Sequence, residues 1–161
     1  MSSVLDDIGN EFGPKLLRIE RKNPRRVYVK LADADLTPVA KRLFDRGGRL
    51  ATITGIDTRN GIELLYHFFF ADEHLMITLK TLLPKPLPRA TSLAPWLPAA
   101  NWAEREIRDL LGATFEGHPD PRRLLLEEAC WPEGAHPLRR DFKGHPDENR
   151  DSAAGTVPPA S

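Results

Sequence analysis

The chain reads as an α+β domain: helices packed on one face of a mostly antiparallel sheet, followed by a helix and an extended C-terminal arm. Three observations predict this. An early segment of helical spacing and a second one alternate with runs of two-residue spacing. A Thr58-Arg59-Asn60-Gly61 turn signal joins two such runs, and Asn-Gly tolerates the positive φ of a tight hairpin. Prolines then cluster after residue 83, and the later chain changes character.

Val4, Leu5, Ile8 and Phe12 lie at helical spacing. Ser3 is placed to cap them, and Asp6 completes a capping box. Gly13-Pro14 stops the helix. Residues 15–20 (KLLRIE) form a strand, and Asn23-Pro24 turns the chain. In 26–31 (RVYVKL), Val27, Val29 and Leu31 share one face of a second strand. Asp35 or Thr37 caps the next helix, with Pro38 near its first turn. Val39, Ala40, Leu43 and Phe44 form its buried stripe, and Gly47-Gly48 ends it. Strands at 49–57, 62–70 and 75–82 follow. The order α-β-β-α-β-β-β is that of helices layered on a sheet. His67 and His74 fall in or beside strands as edge or satisfied core histidines.

The organisation expected is an α/β domain over 1–83, a stiff Pro-rich connector over 84–100, a helix plus docking arm over 101–142, and a disordered tail over 143–161. Residues 84–98 hold five of the 15 prolines, with room for one helical turn near Leu93–Leu97. The tail is polar and small, with too little apolar surface to order itself.

The 161 residues and 40% hydrophobic content suffice for one core. Lys+Arg and Asp+Glu both number 23, so the formal charge is zero. That argues against a nucleic-acid binder, which is usually basic. A near-neutral surface suits a subunit buried in an assembly. The one cysteine rules out an intrachain disulfide framework and fits a reducing compartment. The N-terminus has acids where a signal peptide needs basic residues, and the apolar run Leu64 to Ala71 is too short to span a bilayer. These features predict a cytoplasmic chain that reaches a membrane only through partners.

Residues 101–141 concentrate the remaining signals. Asn101 and Glu104 fit a second capping box, and Gly112 supplies a left-handed C-terminal stop. Ala103, Ile107, Leu110 and Leu111 form an apolar stripe, with Arg105, Arg108 and Asp109 opposite. Glu104–Arg108 and Arg105–Asp109 are i,i+4 pairs. Glu106 falls on the stripe's edge. It is either half-buried and in need of Arg122 or Arg123, or exposed. Pro119 and Pro121 hold the following segment extended. Such an arm either lies on another surface or folds back on its own domain. Its spaced aromatic, Arg and Pro residues are interface composition.

Catalytic and metal readings compete with this. His118, Cys130, His136 and His145 are a conceivable zinc set, but their spacings match no common ligand motif and there is no CxxC pair. Ser/His/Asp or Cys/His chemistry lacks a nucleophile signature, and no Gly-rich phosphate loop occurs. A stand-alone α/β metal- or ligand-binding domain is the alternative function, and a hydrolase a third.

The ordered set Glu104-Arg105-Glu106, Asp109-Leu110-Leu111-Gly112, Phe115, Gly117-His118-Pro119-Asp120, Arg122-Arg123-Leu124-Leu125 and His136-Pro137-Leu138-Arg139-Arg140-Asp141-Phe142 resembles the signature of the 30 kDa subunit family of respiratory complex I. That family comprises the C-type subunit of NADH:quinone oxidoreductase and its relatives in energy-converting membrane-bound [NiFe]-hydrogenases. The resemblance implies a cofactor-free accessory subunit of the peripheral arm, on the cytoplasmic side of the inner membrane. Its neighbours would be the hydrogenase-like large subunit of 49 kDa type and the iron–sulfur small subunit. Iron–sulfur clusters, and a [NiFe] centre in the hydrogenase case, would belong to those partners. The contact would be made by Trp102, Glu104, Arg105, Glu106, Asp109, His118, Pro119, Arg122, Arg123, Trp131, His136, Pro137, Leu138, Arg139 and Asp141. Two departures, the lack of the aromatics that complex I members usually carry where Ala103 stands and near Arg108, and a polar tail after Asp141-Phe142, resemble the hydrogenase branch more.

Overall fold

The computed structural model describes residues 3–127 and 131–144. Two α-helices flank the first hairpin: α1 (Val4–Phe12) and α2 (Asp33–Asp45). The strands β1 (Leu16–Asn23), β2 (Arg26–Leu31), β3 (Arg49–Asp57), β4 (Gly61–Phe70) and β5 (Leu75–Pro84) form one sheet in the order β1-β2-β5-β4-β3. All neighbours are antiparallel except β2 and β5, which run parallel. The α+β architecture is the one the sequence predicts.

The register explains the single core. Val27 and Val29 pair with Ile77 and Leu79, which pair with Phe68 and Tyr66, and Tyr66 pairs with Ile53. Paired residues share a face, so these side chains make one apolar layer, all nearly or fully buried. Both helices cover it: Ile8 of α1, and Leu36, Val39, Ala40 and Leu43 of α2, are fully buried. The opposite face is mixed. There His67 lies between Thr54 Oγ1 (3.2 Å) and Thr78 Oγ1 (2.9 Å), a satisfied histidine, and Lys80 bridges Glu63 and sits over Tyr28.

Local signals fix the element ends. At α1 the Ser3 hydroxyl accepts from the Asp6 amide while the Asp6 carboxylate accepts from the Ser3 amide, the predicted capping box. β1 runs three residues past its predicted end, because the Asn23 side chain accepts from the Arg25 amide and keeps the turn to β2 tight. The second helix starts at Asp33, before the predicted caps Asp35 and Thr37, and Ala32 stands at its N-cap without a side-chain bond. Pro38 is therefore inside α2; its missing amide costs one intrahelical bond, while Asp33 and Asp35 favour the helix's positive end. The Gly47 and Gly48 amides donate to the Phe44 and Leu43 carbonyls and close the helix.

The Pro-rich stretch does more than connect. Its short strand β6 (Arg89–Thr91) runs parallel to β7 (Thr114–Glu116) in a second, two-stranded sheet. Leu93, Ala94, Leu97 and Ala100 are buried in the main core, and Trp96 meets Phe44 edge to face at 6.1 Å. Neither short strand was legible in the sequence. A 3-10 turn (Pro98–Ala100) then leads into α3 (Asn101–Leu111). α3 lies on β3, where Gly55 makes the contact possible: a Cβ there would stand 2.5 Å from Leu111 Cδ1. No helix of the described residues is long and apolar enough to cross a membrane.

Candidate partner interface

The chain after β5 builds a module of α3 and the segment 117–142. Its interior is polar. Ala100, not Asn101, is the N-cap of α3, so the predicted box between Asn101 and Glu104 does not form. Glu104 is instead fully buried beneath the helix. Its carboxyl accepts from the Ser92 hydroxyl at 2.5 Å and from the Leu93 amide at 2.8 Å. It thereby fixes the turn that precedes α3. Burial pushes its pKa up to about 7, against the opposing pull of the Ser92 hydroxyl and the Leu93 and Ala94 amides. Tyr66, also fully buried, is raised well above its ordinary value by burial and then by Glu104 and Asp33.

Asp109 corrects a second expectation. Helical phase put it on the solvent side, yet it is 4% exposed. The returning arm covers it. One carboxylate oxygen accepts from the amides of Leu124, Leu125 and Leu126, at 2.7, 2.9 and 3.4 Å. The expected i,i+4 partners are replaced in the same way. Arg105 pairs with Asp120 at 3.2 Å and donates to the carbonyls of Arg122 and Arg123 at 3.0 and 2.8 Å. Tertiary contacts with backbone thus override the helix's own ladder of charges.

His118 ties the start of the arm to α3. The Asp120 amide donates to Nδ1 at 3.0 Å, so the ring proton sits on Nε2 and is donated to the Asn101 carbonyl at 3.1 Å. Glu104 lies 3.8 Å from the same nitrogen. Arg122 is exposed and grips Asp120 through two bonds of 2.8 Å, which hold that carboxyl well below the usual range.

The end of the arm returns to the C-terminus of α3. His136 Nδ1 donates to the Asp109 carbonyl at 2.8 Å, the Leu138 amide to the Leu110 carbonyl at 3.0 Å, and Arg139 reaches the Leu111 carbonyl at 3.5 Å. These are the carbonyls that a helix end leaves unsatisfied. Gly112 has φ +73°, and a Cβ there would press on the His136 ring at 2.5 Å, so the helix stop and the arm's seat share one glycine. The Arg140 amide donates to Asp57 on the β3–β4 hairpin at 2.8 Å, beside Lys85. Burial pushes Asp57 up, but Lys85 and the Arg140 amide outweigh it and hold its pKa below the ordinary value. Trp131 donates to the Ala135 carbonyl and stacks on Phe142 at 5.9 Å. Arg123 donates to the Trp131 carbonyl at 3.3 Å.

The structure therefore brings Glu104, Arg105, Asp109, His118, Arg123, His136 and Arg139 together inside the module. Glu104 and Asp109 are buried within the chain and offer no contact surface in this conformation. The arm follows the second of the two courses open in the sequence and folds back on its own domain. Glu106 is exposed with no hydrogen bond or ion pair among the described residues, so its expected pairing with Arg122 or Arg123 is absent. It lies at the rim of a groove with Leu110, Leu138 and β3. Pro119, Arg122 and Asp141 are exposed, Trp131 and Pro137 half-buried, and Trp102 and Leu138 are 71% and 59% exposed. Arg139 pairs with Asp141 at 3.2 Å.

Of the conceivable zinc set, Cys130 and His145 lie outside the described residues, and His118 and His136 each engage a backbone carbonyl. Among the described residues no three His, Cys, Asp or Glu side chains are grouped to hold a metal ion. Sequence reasoning missed Ser92 and Asp57, the internal partners of Glu104 and of the arm; neither sits in a motif.

The chain is similar to known proteins. Residues 29–148 match the family model described as respiratory-chain NADH dehydrogenase, 30 Kd subunit. The chain is 34% identical to hydrogenase-4 component G of Escherichia coli over 93% of its length and 28% of that protein's. It is 34% identical to the C-type subunit of the NADH-quinone oxidoreductase of a Nocardioides species, over 83% of its length and 55% of that protein's. The C-type subunit of the F(420)H(2) dehydrogenase of Methanosarcina mazei is 34% identical over 89% of this chain and 92% of its own length. The chain thus spans about a quarter and about half of the first two relatives, and nearly all of the third. Among solved structures, a chain of the archaeal membrane-bound sulfane sulfur reductase superposes with a TM-score of 0.79 at 19% identity, covering 98% of this chain and 94% of that one. A trypsin-resistant fragment of Nqo5 superposes with a TM-score of 0.60 at 24% identity, covering 73% of this chain and 99% of that one. Both likenesses are of fold. By the family model and by its relatives, the chain belongs to the 30 kDa subunit family of the respiratory-chain NADH dehydrogenase and is a complex I-like oxidoreductase subunit.

Proposed function

We propose that this chain is an accessory subunit without a redox group of its own, which seats the outer surface of its α3–arm module on the hydrogenase-like large subunit of a membrane-associated oxidoreductase. One observation carries this reading. The module spends its buried polar groups on holding itself together, yet turns large apolar side chains outward: Trp102 at 71%, Leu138 at 59% and Leu125 at 56% exposure. Apolar and aromatic anchors set among arginines are what a buried interface centre requires. A surface held in place beforehand by such bonds loses less entropy on binding.

The relatives differ in what their names say they oxidise or reduce, and include a hydrogenase component, a quinone reductase subunit and an F(420)H(2) dehydrogenase subunit. A positioning role common to all of them fits a chain that does no redox chemistry itself. On this reading the iron–sulfur small subunit is a second neighbour. Iron–sulfur clusters, and a [NiFe] centre in the hydrogenase-like case favoured by Ala103 and Arg108, belong to partner subunits. Attachment to the inner membrane, on its cytoplasmic face, is through those partners.

Co-expression with the large and small subunits tests the reading. The doubly substituted Trp102→Asp, Leu138→Asp chain is expected to co-purify at least ten-fold less. Undiminished stoichiometry would exclude this surface. The purified chain is expected to be colourless and metal-free by elemental analysis; a stoichiometric metal would favour the stand-alone binding domain.

A further inference from the structure

Between α3, β7 and the start of the arm lies a cavity of about 260 Å³ lined by Glu104, Arg105, Arg108, Thr114, Phe115 and His118, among others. Its charged groups and its histidine can be accounted for one at a time. Both Glu104 oxygens are taken, by the Ser92 hydroxyl and the Leu93 amide. Arg105 is held by Asp120 and two carbonyls. Both His118 nitrogens are engaged. Arg108 differs: it is half-buried, and its guanidinium has no hydrogen bond or ion pair among the described residues.

A cation drawn partly out of water needs an anion to offset the lost hydration. Among the described residues no acid is bonded to it, although Glu133 lines a neighbouring groove with it. Glu104, the sole acid lining the cavity, is committed; Asp109 serves three amides; Glu116 on β7 pairs with Arg89. The cavity lies just under the roughly 300–1,000 Å³ of small-molecule pockets, so it suits one side chain better than a whole ligand. Phe115 and Pro121 supply apolar wall for methylene groups, and Arg108 offers the planar fork that binds a carboxylate through two bonds.

We infer that this cavity is a socket for an acidic side chain, Glu or Asp, of the partner subunit, with Arg108 as its anchoring cation. The inference rests on the docking role proposed above and adds a specific contact to it. A charged contact of this kind fixes register, whereas the exposed Trp102 and Leu138 supply apolar area.

The test uses the co-expressed complex. Arg108→Glu is expected to lower co-purification at least ten-fold, while Arg108→Lys keeps most of it and makes it more sensitive to salt. Because Arg108→Glu could act by disturbing the fold, the Arg108→Lys complex is also treated with a zero-length carbodiimide, which joins an amine only to a carboxylate in contact with it. Mass spectrometry is expected to find position 108 joined to an Asp or Glu of a partner. Native co-purification of Arg108→Glu would overturn the inference, as would coupling of position 108 only within its own chain, or no coupling. If Trp102→Asp, Leu138→Asp still disrupts the complex when these results go against Arg108, the socket alone falls. If the unaltered chain joins no complex, both readings fall.

Discussion

The sheet layer and the α3–arm module solve the same problem with different interactions. In the sheet, Val27, Val29, Leu64, Tyr66, Phe68, Ile77 and Leu79 are all at 0% exposure, and stability comes from apolar area removed from water. In the module, chain segments far apart in sequence are joined by polar side chains and amides bonded to backbone: Asp109 to three amides, Arg105 to two carbonyls, the His136 ring and the Leu138 amide to the last carbonyls of α3. Apolar burial is tolerant of exact placement; hydrogen bonds to backbone are directional. The sheet therefore provides the folding energy, and the module provides a surface of fixed shape.

Breaking each region should reveal that contrast. The largest effect is expected from Phe68→Ala, which opens a cavity in the sheet core and costs about 3–5 kcal/mol. It should lower the urea midpoint of the whole chain and leave the module no stable base.

Next comes Glu104. Its folded pKa of about 7 stands above the ordinary 4.5, so the folded state holds this proton more tightly than the unfolded one. The group's contribution to stability is therefore fully present below about pH 4.5, is lost as pH rises through 7, and is flat beyond. The span corresponds to about 3 kcal/mol. Glu104→Gln should remove this part of the pH dependence; urea midpoints at pH 5 and pH 8, with and without the substitution, measure it.

Asp109→Ala should cost about 1.5–3 kcal/mol locally, the range of hydrogen bonds to a charged group. Limited proteolysis and amide exchange should show cleavage and fast exchange within 117–127 while β2, β4 and β5 stay protected. Simultaneous loss of protection in both regions would mean that module and sheet are one cooperative unit. Asp57→Ala, which frees the Arg140 amide and Lys85, is expected to act less strongly, by about 1 kcal/mol, with exchange increased only near residues 138–142. Smallest is Trp102→Ala: its side chain is 71% exposed, so stability should change by less than about 0.5 kcal/mol while assembly suffers.

Legibility in the sequence divides along the same boundary. The elements of the sheet layer were readable because periodicity reports which face is buried, and because Ser3, Asn60-Gly61 and Gly47-Gly48 act on their own neighbours. In the module the local rules misled. Asn101 and Glu104 have capping-box spacing, but Glu104 faces inward to Ser92, twelve residues back. Arg105 and Asp109 have ion-pair spacing, but each has a partner on the arm. Glu106 drew attention through its place on the wheel and is exposed, while its neighbours in the same motif are the ones committed inside. The polar and apolar pattern of α3 was visible; which polar residues the arm would cover was not.

The sequence by itself determined the strand and helix order, the single core, the helix stop at Gly112, and, through the ordered motif from Glu104 to Phe142, the family. Each of these depends on neighbours within a turn or a hairpin, or on residue identity alone. Only the tertiary structure decided that the Pro-rich stretch supplies β6 and buried core residues, that the arm returns to its own helix, and that Arg108 stands beside a cavity without a partner among the described residues. The physical reason is that a hydrogen bond from a carboxylate to a distant backbone amide leaves no periodic trace in the chain. It exists only once the sheet has placed α3 and Gly112 has turned the arm back upon it.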